Sequence, residues 1–182
     1  MSKRAVVVVD LQNEYLSTGK LALVGIEQAV SNAARVVAGA RAKGDLIVHV
    51  RHESASPDVP FFVQGSDGVQ IIPAVAPQEG ETVIVKNHPN AFLKTGLKAL
   101  LDEHGIEETV ITGAMSHMCI DATTRAASDL GYKTTVVHDA CATRDLEFLG
   151  QTVPAAQVHA AQMSALGFAY AAIVTTDAYL AS

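Results

Sequence analysis

The chain has only two cysteines, no cluster of lysine or arginine residues, and no apolar run long enough to span a membrane. Two cysteines without metal-ligand spacing provide neither a disulfide framework nor a zinc site, which favours a reducing, cytoplasmic location. A formal net charge of -6 without a basic stripe argues against a nucleic-acid partner. Asp10 ends the first apolar run early, so the start of the chain predicts neither a signal peptide nor a membrane anchor.

The length and the hydrophobic content predict one domain over residues 1–182, because 182 residues that are 49% hydrophobic can bury a full core. Short β-branched runs recur along the chain, and most are separated by segments of helical periodicity. These runs are 5–9, 46–50, 82–85, 109–112, 134–137 and 172–174. Being nearly all apolar, they suit parallel strands that are covered on both faces and joined by right-handed crossovers. The pattern predicts an α/β fold, a three-layer αβα arrangement with a six-stranded parallel sheet in the Rossmann-like order 3-2-1-4-5-6.

Glycine and proline punctuate this pattern. Gly44, Gly105, Gly131 and Gly167 each follow a helical stretch, and each precedes a strand closely, so we expect all four in the left-handed conformation that ends helices. Pro154 is typical of the first residues of a helix, and it predicts the start of the last long helix.

The segment from Glu53 to Gly80 is the exception, since it carries four prolines and no sustained period. A connection of this length inside a compact domain usually has a function. Phe61, Phe62 and Val63 lie within it. They either close over a ligand or pack the loop against its own domain.

Cys119 lies where a β-branched strand ends in glycine and a short turn before a predicted helix. Free backbone N–H groups and the helix dipole favour negative charge at such a position. We therefore expect the thiol to ionise more readily than that of a free cysteine, as a nucleophile requires. The alternative is that Cys119 is a small buried apolar residue.

Asp10, Lys86 and Cys119 are predicted to meet at one edge of the sheet. Asp10 ends the first strand, Lys86 ends the third, and Cys119 opens the helix after the fourth. Ligands of parallel sheets bind outside the carboxyl ends of the strands, near the switch in strand order. In the predicted order the third strand lies about 10 Å from the first, a gap that a lysine side chain of about 6 Å can largely close. Singly, Asp10 could cap a loop and Lys86 could be a solvated strand end, but their coincidence favours chemistry.

Several stretches of the chain are similar to motifs of a known family. They are Val8–Tyr15, Val85–His88 with Ala91 and Phe92, Gly113–Asp121 followed by Thr124–Ala127, Asp139–Ala142, and the helix around His159. With these stretches the chain resembles the isochorismatase-like cysteine hydrolases, which include nicotinamidase, carbamoylsarcosine amidohydrolase and related small amidases. The resemblance covers nearly the full length.

The resemblance implies a catalytic triad of Asp10, Lys86 and Cys119. It also implies a cis peptide bond between Ala114 and Met115, and an oxyanion hole formed by the N–H groups of Met115 and Cys119. The implied reaction is hydrolysis of a C–N bond in a small amide, carbamoyl or ureido substrate through a thioester. Family members suggest a homodimer or a higher homo-oligomer, for which the alanine-rich face of residues 155–165 is available.

The sequence departs from the metal-binding members of this family. Those nicotinamidases carry an Asp-x-His pair after the second strand and a further histidine in the next loop, whereas here the strand ends His49-Val50-Arg51-His52-Glu53-Ser54. We therefore expect no metal ion and no cofactor. Cys119 stands where true isochorismatases have an aspartate, which argues against isochorismate as the substrate. A metal-dependent nicotinamidase-like enzyme and a catalytically silent binding module remain as alternatives.

The remaining polar and aromatic residues near the motifs are assigned as follows. The candidates for substrate binding are Gln12, Tyr15, His52, Phe62 and Phe92. The residues expected to be structural are His49, His88, His117 and His138, together with Cys141 as an inert thiol and Asp121 and Arg125 as a local ion pair or a subunit contact. The expected partner is a small-molecule substrate, with neither nucleic acid nor membrane involved.

Overall fold

The computed structural model describes residues 3–56 and 58–182. The strands of its main sheet are β1 (Arg4–Val9), β2 (Leu46–His52), β3 (Thr82–Lys86), β4 (Glu108–Ala114), β5 (Lys133–Ala142) and β8 (Ala172–Val174). Two further strands, β6 (Leu146–Phe148) and β7 (Gln151–Val153), form a separate short hairpin between β5 and β8. The helices are α1 (Ile26–Lys43), α2 (Leu97–Glu103), α3 (Asp121–Asp129), α4 (Ala155–Ala169) and α5 (Thr176–Ala181). A π-helical turn, Ser116–Ile120, joins β4 to α3.

The main sheet has six parallel strands in the order β3-β2-β1-β4-β5-β8. This confirms the predicted sheet and its order, with β8 as the sixth strand. Side chains of β1 alternate between two cores. Val6 and Val8 pack with α1 and α5, whereas Val7 and Val9 pack with α2, α3 and α4. The central strands are therefore covered on both faces, which explains why they read as continuous apolar runs, whereas Val83 and Val85 of the edge strand β3 are exposed. The hairpin of β6 and β7 was not predicted.

Gly113 lets the carboxyl ends of β1 and β4 lie side by side. It pairs with Val9 in register, and a Cβ atom at position 113 would overlap the Val9 backbone. Its φ of +132° is a second reason why a side chain is not accommodated there. Asp10 follows Val9 directly and also has a positive φ, 53°. The close approach places the residues after β1 beside those after β4, where the candidate site lies.

Three of the four predicted helix-ending glycines adopt the left-handed conformation. Gly44, Gly105 and Gly131 have φ values of +71°, +61° and +93°. The prediction for Gly167 is wrong, because α4 continues through it to Ala169. A Cβ at position 167 would lie 3.1 Å from Cγ1 of Ile173, so this glycine serves close packing of α4 against β8. In the described part of the chain, no helix combines the length and the apolar character needed to cross a bilayer.

An ion cluster around Glu81 fixes the end of the long loop onto α1 and β2. Glu81 accepts two hydrogen bonds of 2.8 Å from the Arg41 guanidinium and one of 2.8 Å from the backbone N–H of Gln78. The His49 ring nitrogen Nε2 lies 3.0 Å from the same carboxylate. These partners, with Arg41 foremost, lower the pKa of Glu81 to about 2.

Replacing Glu81 with glutamine is expected to lower the free energy of unfolding by about 2 to 3 kcal/mol at pH 7. Because the pKa of Glu81 is lower in the folded state than in the unfolded state, this stabilisation is present above the ordinary carboxylate pKa. It is lost as the pH falls toward 2. Urea unfolding at several pH values measures it, with the exposed Glu79→Gln as the matched control. A constant difference between E81Q and the parent chain from pH 7 to pH 3 would contradict this assignment.

Candidate active site

The structure brings Asp10, Lys86 and Cys119 together at the carboxyl edge of the sheet. Nζ of Lys86 lies 2.7 Å from Oδ2 of Asp10 and 3.2 Å from Sγ of Cys119. Asp10 follows β1, Lys86 ends β3, and Cys119 lies in the π-helical turn after β4. All three are buried, with exposed fractions of 0%, 1% and 6%. The three side chains that the sequence assigned to one sheet edge therefore form a single cluster.

His52, the last residue of β2, is the fourth member of this cluster. Its Nδ1 lies 2.9 Å from Nζ of Lys86, the residue with which it pairs in register on the neighbouring strand. One ligand atom each from Asp10, His52 and Cys119 lie within 4.8 Å of one another, a spacing that could hold a metal ion. The Lys86 ammonium, however, lies within 3.2 Å of each of these residues and already supplies the positive charge. The residues present therefore fit a charged lysine and not a metal ion.

The Cys119 thiol is harder to ionise than the sequence suggested. Burial raises its pKa well above the ordinary value, and the Asp10 carboxylate raises it further, whereas Lys86 acts in the opposite direction. Burial alone would lower the pKa of Lys86, but Asp10 and Cys119 more than compensate and raise it. The prediction of an easily ionised thiol is wrong, because burial at this position outweighs the helix N-terminus. In the resting protein the charged pair is Asp10 with Lys86, and the thiol keeps its proton.

One oxygen of Asp10 is open. The carboxylate is fully buried, its Oδ2 pairs with Lys86, and among residues 3–56 and 58–182 no N–H or O–H group donates to Oδ1, which leaves the Cys119 thiol as the remaining donor to this carboxylate. A buried carboxylate oxygen without a donor is costly unless a neighbour supplies a proton. The Cys119 thiol, in the same cluster, is the proton source at hand. The arrangement is suited to transfer of a proton from sulfur to carboxylate.

A cavity of about 390 Å³ opens onto Cys119. Its walls are mostly apolar and aromatic, with a few polar groups at separate points. The lining residues are Tyr15, Leu21, His52, Phe61, Phe62, Asn87, Pro89, Met115, Met118, Cys119 and Arg144. This size and this composition are typical of a site for a small molecule.

Tyr15, His52 and Phe62 line the cavity, so their predicted contact with substrate stays a prediction. Gln12 and Phe92 do not, and these two predictions are corrected. The side chain of Gln12 is fully buried, donates to the carbonyl groups of His52 and Val69, and accepts the N–H of His52. It therefore joins the end of β2 to the long loop.

Phe92 packs against Tyr132 and is not among the residues that line the cavity. Its ring stacks on Tyr132 at a centroid distance of 6.1 Å and an interplanar angle of 17°. It borders a separate surface groove with Leu93 and Leu130.

The long loop was expected either to close over a ligand or to pack against the rest of the domain. Phe62 does both kinds of packing, because it lines the cavity and also contacts residues outside the loop. Its ring meets Tyr15 and His52 edge to face, each at 5.2 Å between centroids. Its backbone N–H donates to the buried carboxylate of Glu14 over 2.9 Å. Glu14 also accepts the N–H of Lys20, so one carboxylate fixes the loop onto the segment after β1. Val63 is not among the residues that line the cavity.

Arg144 and Asn87 line the cavity but were not predicted to do so. Asn87 directly follows Lys86, and its side-chain amide donates to the carbonyl of Glu53. Arg144 is exposed and comes two residues after β5. The rule that located Asp10, namely that residues after parallel strands gather at one edge, applies equally to Arg144 and could have found it.

Cys141, His117, Asp121 and Arg125, which were predicted to be structural, have partners away from the cluster, whereas His88 acts electrostatically on His52. Sγ of Cys141 contacts the carbonyl of Val137 and neither Asp10 nor Lys86, and burial raises the pKa of Cys141 to about 12. His117 contacts the hydroxyl of Thr143 at 2.6 Å. Asp121 and Arg125 form an ion pair one helical turn apart.

The peptide bond between Ala114 and Met115 is cis. Met115 lines the cavity beside Cys119.

Comparisons with known proteins agree over nearly the whole chain. A sequence model of the family described as Isochorismatase domain matches residues 4–178. The uncharacterized isochorismatase family protein YddQ of Bacillus subtilis is 46% identical over 97% of this chain and 98% of its own length. Maleamate amidohydrolase of Pseudomonas putida is 32% identical over 75% of this chain and 71% of its own length. A crystal structure from Oleispira antarctica, assigned to an isochorismatase hydrolase, has a TM-score of 0.95 and 54% identity, covering 98% of this chain and 96% of that one.

Proposed function

This chain belongs to the isochorismatase family, and from that premise we propose that it is a cysteine-dependent hydrolase of a C–N bond in a small amide, carbamoyl or ureido substrate. The observation that carries the proposal is the Lys86 ammonium in contact with both Asp10 and Cys119 beside an apolar cavity. The relative named maleamate amidohydrolase supports amide chemistry on this scaffold.

In the first step the Cys119 sulfur attacks the substrate carbonyl carbon while Asp10 takes the thiol proton. Because the pKa of Cys119 is raised, the proton leaves sulfur as the carbon–sulfur bond forms instead of before substrate arrives. The carbonyl π electrons move onto oxygen. Lys86 keeps its charge throughout and stabilises the developing negative charge on sulfur.

The N–H groups of Met115 and Cys119 are the proposed donors to the tetrahedral oxyanion. Both residues line the cavity, and Cys119 is the proposed nucleophile itself. Backbone donors that are held in place before the reaction stabilise charge that appears only in the transition state.

Collapse of the intermediate cleaves the C–N bond. Asp10 returns its proton to the departing nitrogen, which leaves as ammonia or an amine, and an acyl thioester remains on Cys119. Water then gives a proton to Asp10 and attacks the thioester carbonyl. The carbon–sulfur bond breaks, the carboxylic acid is released, and sulfur regains the proton from Asp10. The cycle thus uses one carboxylate as base and as acid in both halves.

Arg144 favours a substrate that carries an anionic group in addition to the amide. It is the cationic residue among those that line the cavity, and its Nε contact at 3.4 Å is to a backbone carbonyl, that of Asp145. A guanidinium binds a carboxylate through paired hydrogen bonds. We propose that one end of the substrate pairs with Arg144 while the amide lies against Cys119.

An ammonia-release screen over amide, carbamoyl and ureido compounds tests the proposed function. Comparing each compound that carries a carboxylate with its neutral methyl ester tests whether Arg144 binds that carboxylate. We expect ammonia release from at least one compound class. We expect Arg144→Gln to raise KM for the carboxylates about 10-fold or more and to leave kcat/KM for the esters unchanged. Arg35→Gln, at an exposed ion pair with Asp177, is the matched control. Equal losses of kcat/KM on both compound sets would assign Arg144 a structural role.

A further inference from the structure

The three hydrogen-bond donors of Lys86 have three different acceptors. Nζ lies 2.7 Å from Oδ2 of Asp10, 2.9 Å from Nδ1 of His52 and 3.2 Å from Sγ of Cys119. An ammonium group has three N–H bonds and no lone pair. His52 must therefore present an unprotonated Nδ1, and the single proton of its neutral ring lies on Nε2.

The backbone of His52 and its ring are both held in place by neighbouring residues. The side-chain amide of Gln12 accepts the N–H of His52 and donates to its carbonyl, both over 2.8 Å. The ring packs edge to face on Phe62 at 5.2 Å and 64°. His52 also pairs in register with Lys86, so the two side chains start from adjacent points of the sheet. The contact with Lys86 is thus part of a built arrangement.

We propose, on the basis of the function proposed above, that His52 is a positioning residue for Lys86. Its Nδ1 lone pair holds the ammonium between the Asp10 carboxylate and the Cys119 sulfur. The tautomer that this contact requires leaves Nε2–H as a hydrogen-bond donor on a ring that lines the cavity. His52 therefore fixes the catalytic cation and contributes a donor for the substrate.

The charges around His52 determine how this contact depends on pH. Burial lowers the pKa of His52. The positive charge of Lys86 and the neighbouring His88 lower this pKa further, whereas the Asp10 carboxylate acts in the opposite direction. Three further titratable or charged groups line the same cavity: the thiol of Cys119, the phenol of Tyr15, whose pKa burial raises, and the guanidinium of Arg144. His52 is therefore neutral at pH 7 and can accept the hydrogen bond. As the pH falls through its lowered pKa, Nδ1 gains a proton, the acceptor disappears, and two cations face each other.

Two substitutions of His52 distinguish its role as a hydrogen-bond acceptor from its protonation at low pH. In His52→Asn, the side-chain oxygen can replace Nδ1 as an acceptor but does not titrate; in His52→Leu, no acceptor remains. We expect H52L to lower kcat at pH 7 about 10- to 100-fold. We expect H52N to keep kcat within about fivefold of the parent, to raise KM through loss of the Nε2–H donor, and to lack the fall in kcat on the acid side that His52 causes. The exposed His104→Asn is the control, expected to keep the parent profile.

A measurement that needs no turnover tests the same proposal. Long-range ¹H–¹⁵N correlation spectra of the parent chain and H52N identify which ring nitrogen of His52 carries the proton. At pH 7.5 we expect the Nε2–H tautomer. A proton on Nδ1, or an H52L variant with the parent kcat and pH profile, overturns the proposal. If the parent hydrolyses no amide, the proposed function fails, while the tautomer still decides whether His52 accepts from Lys86. If H52L does not fold, the H52N pH profile and the tautomer decide.

Discussion

Replacing Cys119 with alanine is expected to lower the rate of C–N bond hydrolysis by at least about 10⁴-fold. The substitution removes the atom that forms the thioester, and no other group of the cluster can replace it, since Asp10 and Lys86 are paired with each other. Ammonia release under saturating substrate measures the effect. The loss should appear in kcat, because the cavity walls that bind substrate are untouched.

Cys141→Ala is the matched control for this substitution. Cys141 is the second cysteine of the chain, is also buried, and contacts the Val137 carbonyl instead of the cluster. We expect C141A to retain kcat, with a modest loss of stability from the smaller side chain. Acid quench of the parent chain during turnover should trap an acyl group on Cys119, seen by mass spectrometry of the peptide. A C119A variant with the parent rate, or an acyl group found only on Cys141, would end the thioester mechanism.

The sheet and the position of the site could be predicted because both depend on local pattern. A strand that is buried on both faces must be an apolar run, and a polar residue directly after such a run lies at the sheet edge. Asp10 follows a fully buried run and Lys86 follows an apolar run that is exposed on one face, and the structure places Nζ of Lys86 2.7 Å from Oδ2 of Asp10. The position of Cys119 at this edge was predicted from the strand, the glycine and the turn that precede it. These signals survive in a single sequence because each spans only a few neighbouring residues.

The ionisation of Cys119 could not be predicted, since it depends on burial by distant segments. The helix N-terminus was visible in the sequence, but the desolvation that outweighs it was not. Gln12 illustrates the same limit, because a glutamine beside a catalytic aspartate reads as a substrate contact until its partners in β2 and the long loop are known. Which side chains face the cavity is decided by the path of that loop. The sequence of the loop has no hydrophobic periodicity, so the path of the loop cannot be inferred from it.

The second large effect concerns Lys86, whose replacement by methionine is expected to lower kcat strongly and to destabilise the fold. Methionine has a similar shape but no charge, so the fully buried Asp10 carboxylate loses its counter-ion. Removing one partner of a buried ion pair costs about 3 to 5 kcal/mol. We therefore expect K86M to lose about this much of its free energy of unfolding at pH 7, and at least about 10³-fold in kcat. Lys98→Met, at an exposed pair with Asp102, should change stability by less than about 1 kcal/mol.

The pH dependence of this variant distinguishes a buried charge from a lost packing contact. In K86M the isolated Asp10 carboxylate is more easily protonated in the folded state than in the unfolded state, so the folded state binds the extra proton. Stability should then rise as the pH falls from 7 toward 5, opposite in sign to the behaviour expected around Glu81. The double variant with Asp10→Asn should recover most of the stability at pH 7 while remaining inactive, because it removes the orphaned charge together with the base. Two results would contradict this role: a K86M variant as stable as the parent at pH 7, or a loss of unfolding free energy that depends neither on pH nor on Asp10. In either case Lys86 would only pack in the cluster without balancing a charge. The electrostatic role assigned to it in catalysis would then have no basis.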